Sequence, residues 1–231
     1  MAAHRSSLIF DLDGTLIDSA PDLAGALNAL LAELDCPPLS FDQVRRLIGD
    51  GAPTLVARAL QTAGASFEPE AYESLLERYR ALYLAHATAE TRVYPHVPET
   101  LRRLREEGYR TVVCTNKFQR PSLMILETLG LARYFDAVAG GDVVPARKPD
   151  PAHLLAGLKL IGGEVEHAVM IGDGINDVAA AKAAGIPVLV LPSGYGEIGA
   201  ASPDPRRCCS GSRPRAGSAR CASICAPFCL S

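Results

Sequence analysis

The chain has 231 residues, of which 48% are hydrophobic, and a formal net charge of -3 at pH 7. That length exceeds a typical single domain and falls short of two, so one main domain carrying an insert is expected, with apolar residues enough for a sizeable core. No apolar run reaches the roughly 18 to 20 residues of a membrane helix, the opening MAAHRSSLIF lacks a secretory stretch, and no basic footprint invites nucleic acid; a cytoplasmic protein with neither membrane nor nucleic-acid partner is expected.

In chain order, SLIFDL is the first apolar run, followed by TVVCT, FDAVAG, HAVMIG and PVLVL. All five are continuous rather than alternating, as strands of a parallel sheet covered on both faces should be. Helical patterns lie between most of them. Val97, Leu101 and Leu104 share a face, with Pro98 and Glu99 suited to a first turn and Gly108 to a stop; DVAAAKAAGIP ends at Gly185 and Pro187. Repeated strand–helix units predict a doubly wound, mostly parallel α/β domain.

One interval breaks the alternation. From about Ser19 to Glu90 no strand is predicted, while Leu23, Leu27, Leu30, Leu31 and Leu34 mark one helix and Tyr72, Leu75, Leu76, Tyr79, Leu82 and Tyr83 another. Ser19 and Asp22 are spaced as a capping box for the first. The expected organisation is an α/β core of residues 1–18 and 91–201, an inserted all-helical cap of residues 19–90, and an atypical tail of residues 202–231.

The candidate site comes from the strand ends, where open α/β sheets place their ligands. Asp11 and Asp13 follow the first run, with period-two geometry aiming both to one side and Gly14 easing the turn. Thr115, Asn116 and Lys117 follow the second strand; Lys148, in ARKPDP, follows the third; Asp173 and Asp177, in MIGDGIND, follow the fourth. Singly, each has an ordinary explanation: Asp13-Gly14 as a hairpin turn, Thr115 and Asn116 as a helix cap, Lys148 as a solvated loop lysine, Asp177 as a first-turn acid. Jointly, acid pair, hydroxyl, amine and second acid pair describe one site.

The residue types set the chemistry. Two acids so close repel unless a cation intervenes, and Mg2+ prefers such oxygen clusters. Asp11 is expected to attack phosphorus, Asp13 to act as general acid and base, and Lys148 and Thr115 to neutralise and hold the phosphoryl group. Asp173 is expected to bind the metal directly, with Asp177 meeting the ion's waters or orienting Lys148.

DLDGT, CTNK, RKPDP and GDGIND, in that order, resemble the four motifs of the haloacid dehalogenase superfamily of phosphohydrolases, and the helical insert matches the place of that family's smaller cap. FDLDGTLIDSAPDLAGALN, IGDGAPTLVARAL, CTNK and PSGYGE are similar to its bacterial phosphoglycolate phosphatase branch, over about residues 6 to 201. The resemblance implies Asp11 as nucleophile and Asp13 as acid and base. It further implies Thr115, Asn116 and Lys148 on the substrate, and Mg2+ on Asp11, Asp13 (through its backbone carbonyl) and Asp173. A small phosphorylated metabolite, 2-phosphoglycolate, is the implied substrate, and a monomer or homodimer the implied state.

Alternatives are another superfamily phosphatase or phosphomutase acting on a sugar phosphate, and a receiver-like phosphoacceptor domain. Dehalogenases do not need the second acid, so Asp13 argues against them. Receivers place their acceptor aspartate after the third strand and lack a cap. The chain departs from the branch at Gly174, commonly serine, at Asp50, which adds negative charge near an approaching anion, and at His96, commonly glycine and read as a loop residue outside the pocket.

The tail differs in kind. Residues 202–231 carry five arginines against the single acid Asp204, together with Cys208, Cys209, Cys221, Cys225 and Cys229, whereas the body has only Cys36 and Cys114, a sparse usage that suits a reducing compartment. Proline, glycine and serine make up 12 of these 30 residues, so disorder or a shifted reading frame from about Ser202 is expected. Metal binding by Cys221, Cys225 and Cys229 is the alternative, without the paired spacing of zinc sites.

Overall fold

The structure, a computed structural model, describes residues 6–65, 67–192 and 194–195. The expectations for residues 202–231 therefore lie outside the described residues. In chain order the elements are β1 (Ser7–Phe10), β2 (Ile17–Asp18), α1 (Ala20–Glu33), α2 (Phe41–Arg45), α3 (Ala52–Thr62), α4 (Tyr72–His86) and β3 (Arg92–Val93). They continue with α5 (Val97–Glu106), β4 (Arg110–Thr115), α6 (Gln119–Thr128), β5 (Ala137–Gly140), α7 (Pro151–Leu160), β6 (Ala168–Gly172), α8 (Ile175–Ala184) and β7 (Val188–Val190).

All five predicted runs form one parallel sheet, ordered β5-β4-β1-β6-β7. β1 is central, with Phe10 opposite Val113 on one side and Ile171 on the other. The absence of polar alternation has its cause in two cores. Leu8, Phe10, Val113 and Ile171 pack into one, which continues into the helical insert; Ile9, Val112, Cys114 and Met170 pack into the other, against α7 and α8. Both faces of β1 are thus dry, and Leu8, Ile9 and Phe10 have no exposed surface. Burying each such side chain stabilises the fold by roughly 1.5–3 kcal/mol.

Helices α1 to α4 form the cap between β2 and β3. Leu23, Leu27, Leu30 and Leu31 of α1 and Leu76, Tyr79 and Tyr83 of α4 are all buried in the first core. β2 and β3 pair antiparallel over two residues each, a ribbon joining the outgoing and returning chain at the base of the cap. Gly185 ends α8 at φ +71° as anticipated, and exposed His96 stands before α5 at φ +63°, the left-handed conformation that glycine adopts without strain.

The capping box does not form. Ser19 makes no side-chain cap, and its hydroxyl donates instead to Asp13. Asp22 is drawn the other way: its carboxylate accepts from the N–H groups of Glu90 (3.0 Å) and Thr91 (2.8 Å) and from the Thr91 hydroxyl (2.6 Å). The spacing was right for a local box, but long-range partners outcompete it, and Asp22 secures the returning chain.

Candidate active site

The site lies beyond the carboxyl ends of β1, β4 and β6. Asp11 follows β1 directly, its N–H donating to the Ile171 carbonyl at 2.9 Å, so the ladder with β6 fixes its position. Gly14 then turns the chain at φ +84°, close enough to Asp173 that a Cβ would overlap the carboxylate. That close approach lets the hydroxyl of Thr15 donate to Asp173 at 2.9 Å.

Lys148 is buried between two acids. Its ammonium lies 2.8 Å from Asp11 and 2.7 Å from Asp177. Burial disfavours its charge, but Asp11 and Asp177 outweigh this and raise its pKa above the ordinary lysine value. Asp177 is itself fixed, its other oxygen accepting from the N–H groups of Gly174 (3.0 Å) and Asp173 (3.2 Å). Its contact with Lys148 fits the anticipated orienting role, and its place beside Asp11 and Asp173 fits the other, near the ion's waters. His153 holds the Lys148 backbone, with Nδ1 3.3 Å from its N–H.

Asp13 has a lysine of its own. Lys117 reaches both carboxylate oxygens, at 3.0 and 2.9 Å, and its ammonium lies 4.8 Å from the centre of the Tyr83 ring in the cap. Burial again opposes the charge, and Asp13 leads the interactions that raise the lysine's pKa. Thr115 stands at the end of β4, its oxygen accepting from the Lys117 N–H at 3.1 Å. Asn116 spends its amide donors on the carbonyls of Gly49 (3.0 Å) and Lys148 (2.9 Å), joining a cap loop to a core loop. Asp50 faces Asn176 at 2.6 Å and Arg58 at 2.6 Å, a clasp rather than a cavity wall.

Four carboxylates, Asp11, Asp13, Asp173 and Asp177, meet two ammonium groups here. The negative excess shows in Asp11, which burial pushes up to about 8, against the pull of Lys148 and with the help of Asp177 and Asp173. Asp11, Asp173 and Asp177 each offer an oxygen, all within 4.8 Å of one another. A hard divalent cation fits both the oxygen donors and the missing positive charge. Asp177 accepts through both oxygens, from Lys148 and from the N–H groups of Asp173 and Gly174, and Asp173 likewise accepts through both, from Thr15 and Tyr195.

Asp11, Asp13, Thr115, Asn116 and Lys117 line a cavity of about 530 Å³ between core and cap, whose other wall includes Tyr79 and Tyr83. Of the predicted site residues Asp11, Asp13, Thr115 and Asn116 line this cavity, whereas Lys148, Asp173 and Asp177 stand outside its lining and are joined to it through Asp11, which Lys148 contacts directly and whose carboxylate lies within 4.8 Å of those of Asp173 and Asp177. Four further participants were not assigned to the site: Thr15, Ser19, Lys117 and Tyr195. The first three stand inside or beside quoted motifs, and Tyr195 is the aromatic of PSGYGE. Its N–H donates to Asp173 at 2.8 Å, and its phenol reaches the start of α1.

Comparison with known proteins identifies the family. The family model for haloacid dehalogenase-like hydrolases matches residues 6–185. The phosphoglycolate phosphatase of Caulobacter vibrioides is 44% identical over 194 residues, covering 84% of this chain and 82% of that protein. The phosphoglycolate phosphatase of Rhodospirillum rubrum is 46% identical over 193 residues, 82% of this chain and 80% of its own. Among solved structures, a predicted phosphoglycolate phosphatase from Haemophilus somnus superposes with a TM-score of 0.79 at 32% identity, covering 85% of this chain and 89% of that one.

Proposed function

The chain belongs to the haloacid dehalogenase-like hydrolases and is a phosphatase, and from that premise we propose that it cleaves 2-phosphoglycolate to glycolate and inorganic phosphate. The carrying observation is the pairing of each motif acid with a buried lysine, Asp11 with Lys148 and Asp13 with Lys117, beside a cavity that both acids line. We read residues 1–18 and 91–201 as the catalytic core and residues 19–90 as the cap that encloses a small substrate.

In the proposed reaction a carboxylate oxygen of Asp11 attacks phosphorus, the phosphorus–ester oxygen bond breaks, and the leaving alkoxide takes a proton from Asp13. Asp13 then takes a proton from water as that water attacks the aspartyl-phosphate, releasing phosphate and restoring Asp11. Lys148 keeps Asp11 in place and offsets phosphoryl charge, and Thr115, with Asn116 behind it, contacts the phosphate oxygens. Asp11, Asp173 and the backbone carbonyl of Asp13 would hold Mg2+, which when bound screens the phosphate dianion from the attacking carboxylate.

A phosphate-release panel containing 2-phosphoglycolate and hexose and pentose phosphates, with and without EDTA, tests the reading. Preference for phosphoglycolate, loss with chelator and recovery with Mg2+ are expected. Preference for a hexose phosphate overturns the substrate, and indifference to chelation overturns the metal.

A further inference from the structure

Buried polar groups without a partner are rare in folded proteins, because each forfeits its hydrogen bonds to water. Among the described residues five side-chain atoms are in that position, and four of them belong to residues lining the cavity: the hydroxyls of Tyr79 and Tyr83, Nε of Arg80 and Oδ1 of Asn116. Tyr79 and Tyr83 sit one turn apart on α4 with rings stacked 6.2 Å apart, 1% and 5% exposed. Lys117 lies over Tyr83 and beside Asp13. Two hydroxyl donors and an ammonium therefore converge next to the acid expected to protonate the leaving group. Lys117 interacts with both Asp13 and the Tyr83 phenol, while the Tyr79 hydroxyl has no partner, and the chemistry of such a set calls for an anion.

We propose that Lys117 and the phenolic hydroxyls of Tyr79 and Tyr83 form the subsite that receives a carboxylate on the alcohol portion of the substrate. This rests on the phosphoglycolate reading and specifies how the site selects it. In a phosphomonoester of a 2-hydroxy carboxylate, only one carbon separates the ester oxygen from the carboxylate. An ester oxygen within reach of Asp13 therefore brings that second anion close to Asp13 as well. Unrelieved, the two carboxylates would repel. The Lys117 ammonium, with three donors, can bridge them, and the phenols supply further donors from the cap side. A neutral tail in the same position leaves the Tyr79 hydroxyl unpartnered, so the site discriminates by an unmet requirement as well as by attraction.

The test compares 2-phosphoglycolate with ethyl phosphate, which keeps the phosphate ester and its first carbon but carries no carboxylate, on the full chain. Wild type should show a large kcat/KM preference for phosphoglycolate. Lys117→Met and the double variant Tyr79→Phe/Tyr83→Phe should each shrink that ratio by roughly ten- to one-hundredfold. Lys117→Arg should restore part of it. The single variant Tyr79→Phe carries a separate signature, because removing that unpartnered hydroxyl should leave Tm unchanged or raise it while specificity falls. If wild type favours phosphoglycolate but the variants keep the full ratio, the subsite is wrong and the substrate reading stands. If wild type favours ethyl phosphate or a hexose phosphate, the substrate reading falls and takes the subsite with it.

Discussion

The main-chain N–H of Tyr195 donates to a carboxylate oxygen of Asp173 at 2.8 Å, while the phenol of the same residue caps the start of the cap's first helix. The phenolic oxygen accepts from the N–H groups of Ser19 (2.7 Å) and Ala20 (3.0 Å) and donates to Asp18 at 2.7 Å. Those amides are among the groups a helix start leaves unpartnered; Ala20 N–H also donates to Asp18 at 3.2 Å. Arg45 of α2 adds a bond to the Gly194 carbonyl at 3.1 Å. One residue thus links an acid of the site to the point where the chain enters the cap.

Tyr195→Phe keeps the ring and the backbone bond to Asp173 but removes all three phenolic hydrogen bonds. Unfolding free energy should fall by about 1–3 kcal/mol, since partners in a partly buried setting lose their bonds. Amide exchange should accelerate at Ser19 and Ala20, with a smaller effect on turnover because Asp173 retains its donor. Urea denaturation and residue-resolved hydrogen exchange check this, and unaltered exchange at both amides would remove the phenol from the helix start.

Gly194 meets Asp173 so closely that an added Cβ would overlap the carboxylate, whereas Gly25, exposed on α1, meets nothing within 4 Å. Gly194→Ala should therefore displace Asp173, with strain of roughly 1–3 kcal/mol. The Mg2+ concentration for half-maximal activity should rise at least about tenfold, since a displaced ligand no longer meets the geometry the ion demands. Gly25→Ala is the control and should stabilise the helix by about 0.5–1 kcal/mol. A Gly194→Ala enzyme with wild-type Mg2+ dependence would show that Asp173 has no part in binding the ion.

Much of this arrangement was legible because burial on two faces leaves a plain signature. Val112 and Val113 belong to opposite cores, so TVVCT reads as one apolar run and its end marks the site. What was hidden depends on distance along the chain. The β2–β3 ribbon joins residues 17–18 to 92–93 with two residues a side, too short for any period to register. Ser19 and Asp22 have the spacing of a capping box, yet Asp13 and Thr91 claim their side chains. Lys117 stands at the right strand end, but its pairing with Asp13 depends on residues 104 positions apart, and nothing near Tyr195 in sequence points to Ser19.

Asp11→Asn should abolish phosphate release while leaving the fold intact, because an amide cannot supply the attacking oxyanion. Lys148 keeps Asp177 at 2.7 Å as its partner, so the buried ammonium is not abandoned. Turnover should drop by several orders of magnitude, with Tm close to wild type. Steady-state assays with calorimetry decide, and near-wild-type turnover would exclude Asp11 as nucleophile.

His153 offers a pH test that does not depend on turnover. It has no exposed surface, with Nε2 2.9 Å from the Ala139 carbonyl and Nδ1 accepting from the Lys148 N–H. That pairing places the proton on Nε2 and leaves the ring neutral. Burial, reinforced by the positive charge of Lys148, lowers its pKa from 6.5 to about 4. The unfolded chain therefore binds a proton below about pH 6.5 that the folded chain refuses until about pH 4. The stability linked to this residue is fully present above the upper value and is lost as pH falls toward the lower one. Between pH 7 and pH 5 it amounts to about 2 kcal/mol. Carboxylates titrate over part of the same range, so the informative quantity is a difference: His153→Asn should flatten the pH dependence of unfolding free energy by about that amount, whatever its effect at pH 7. Equal slopes for the two proteins would mean that the ring takes up its proton while folded.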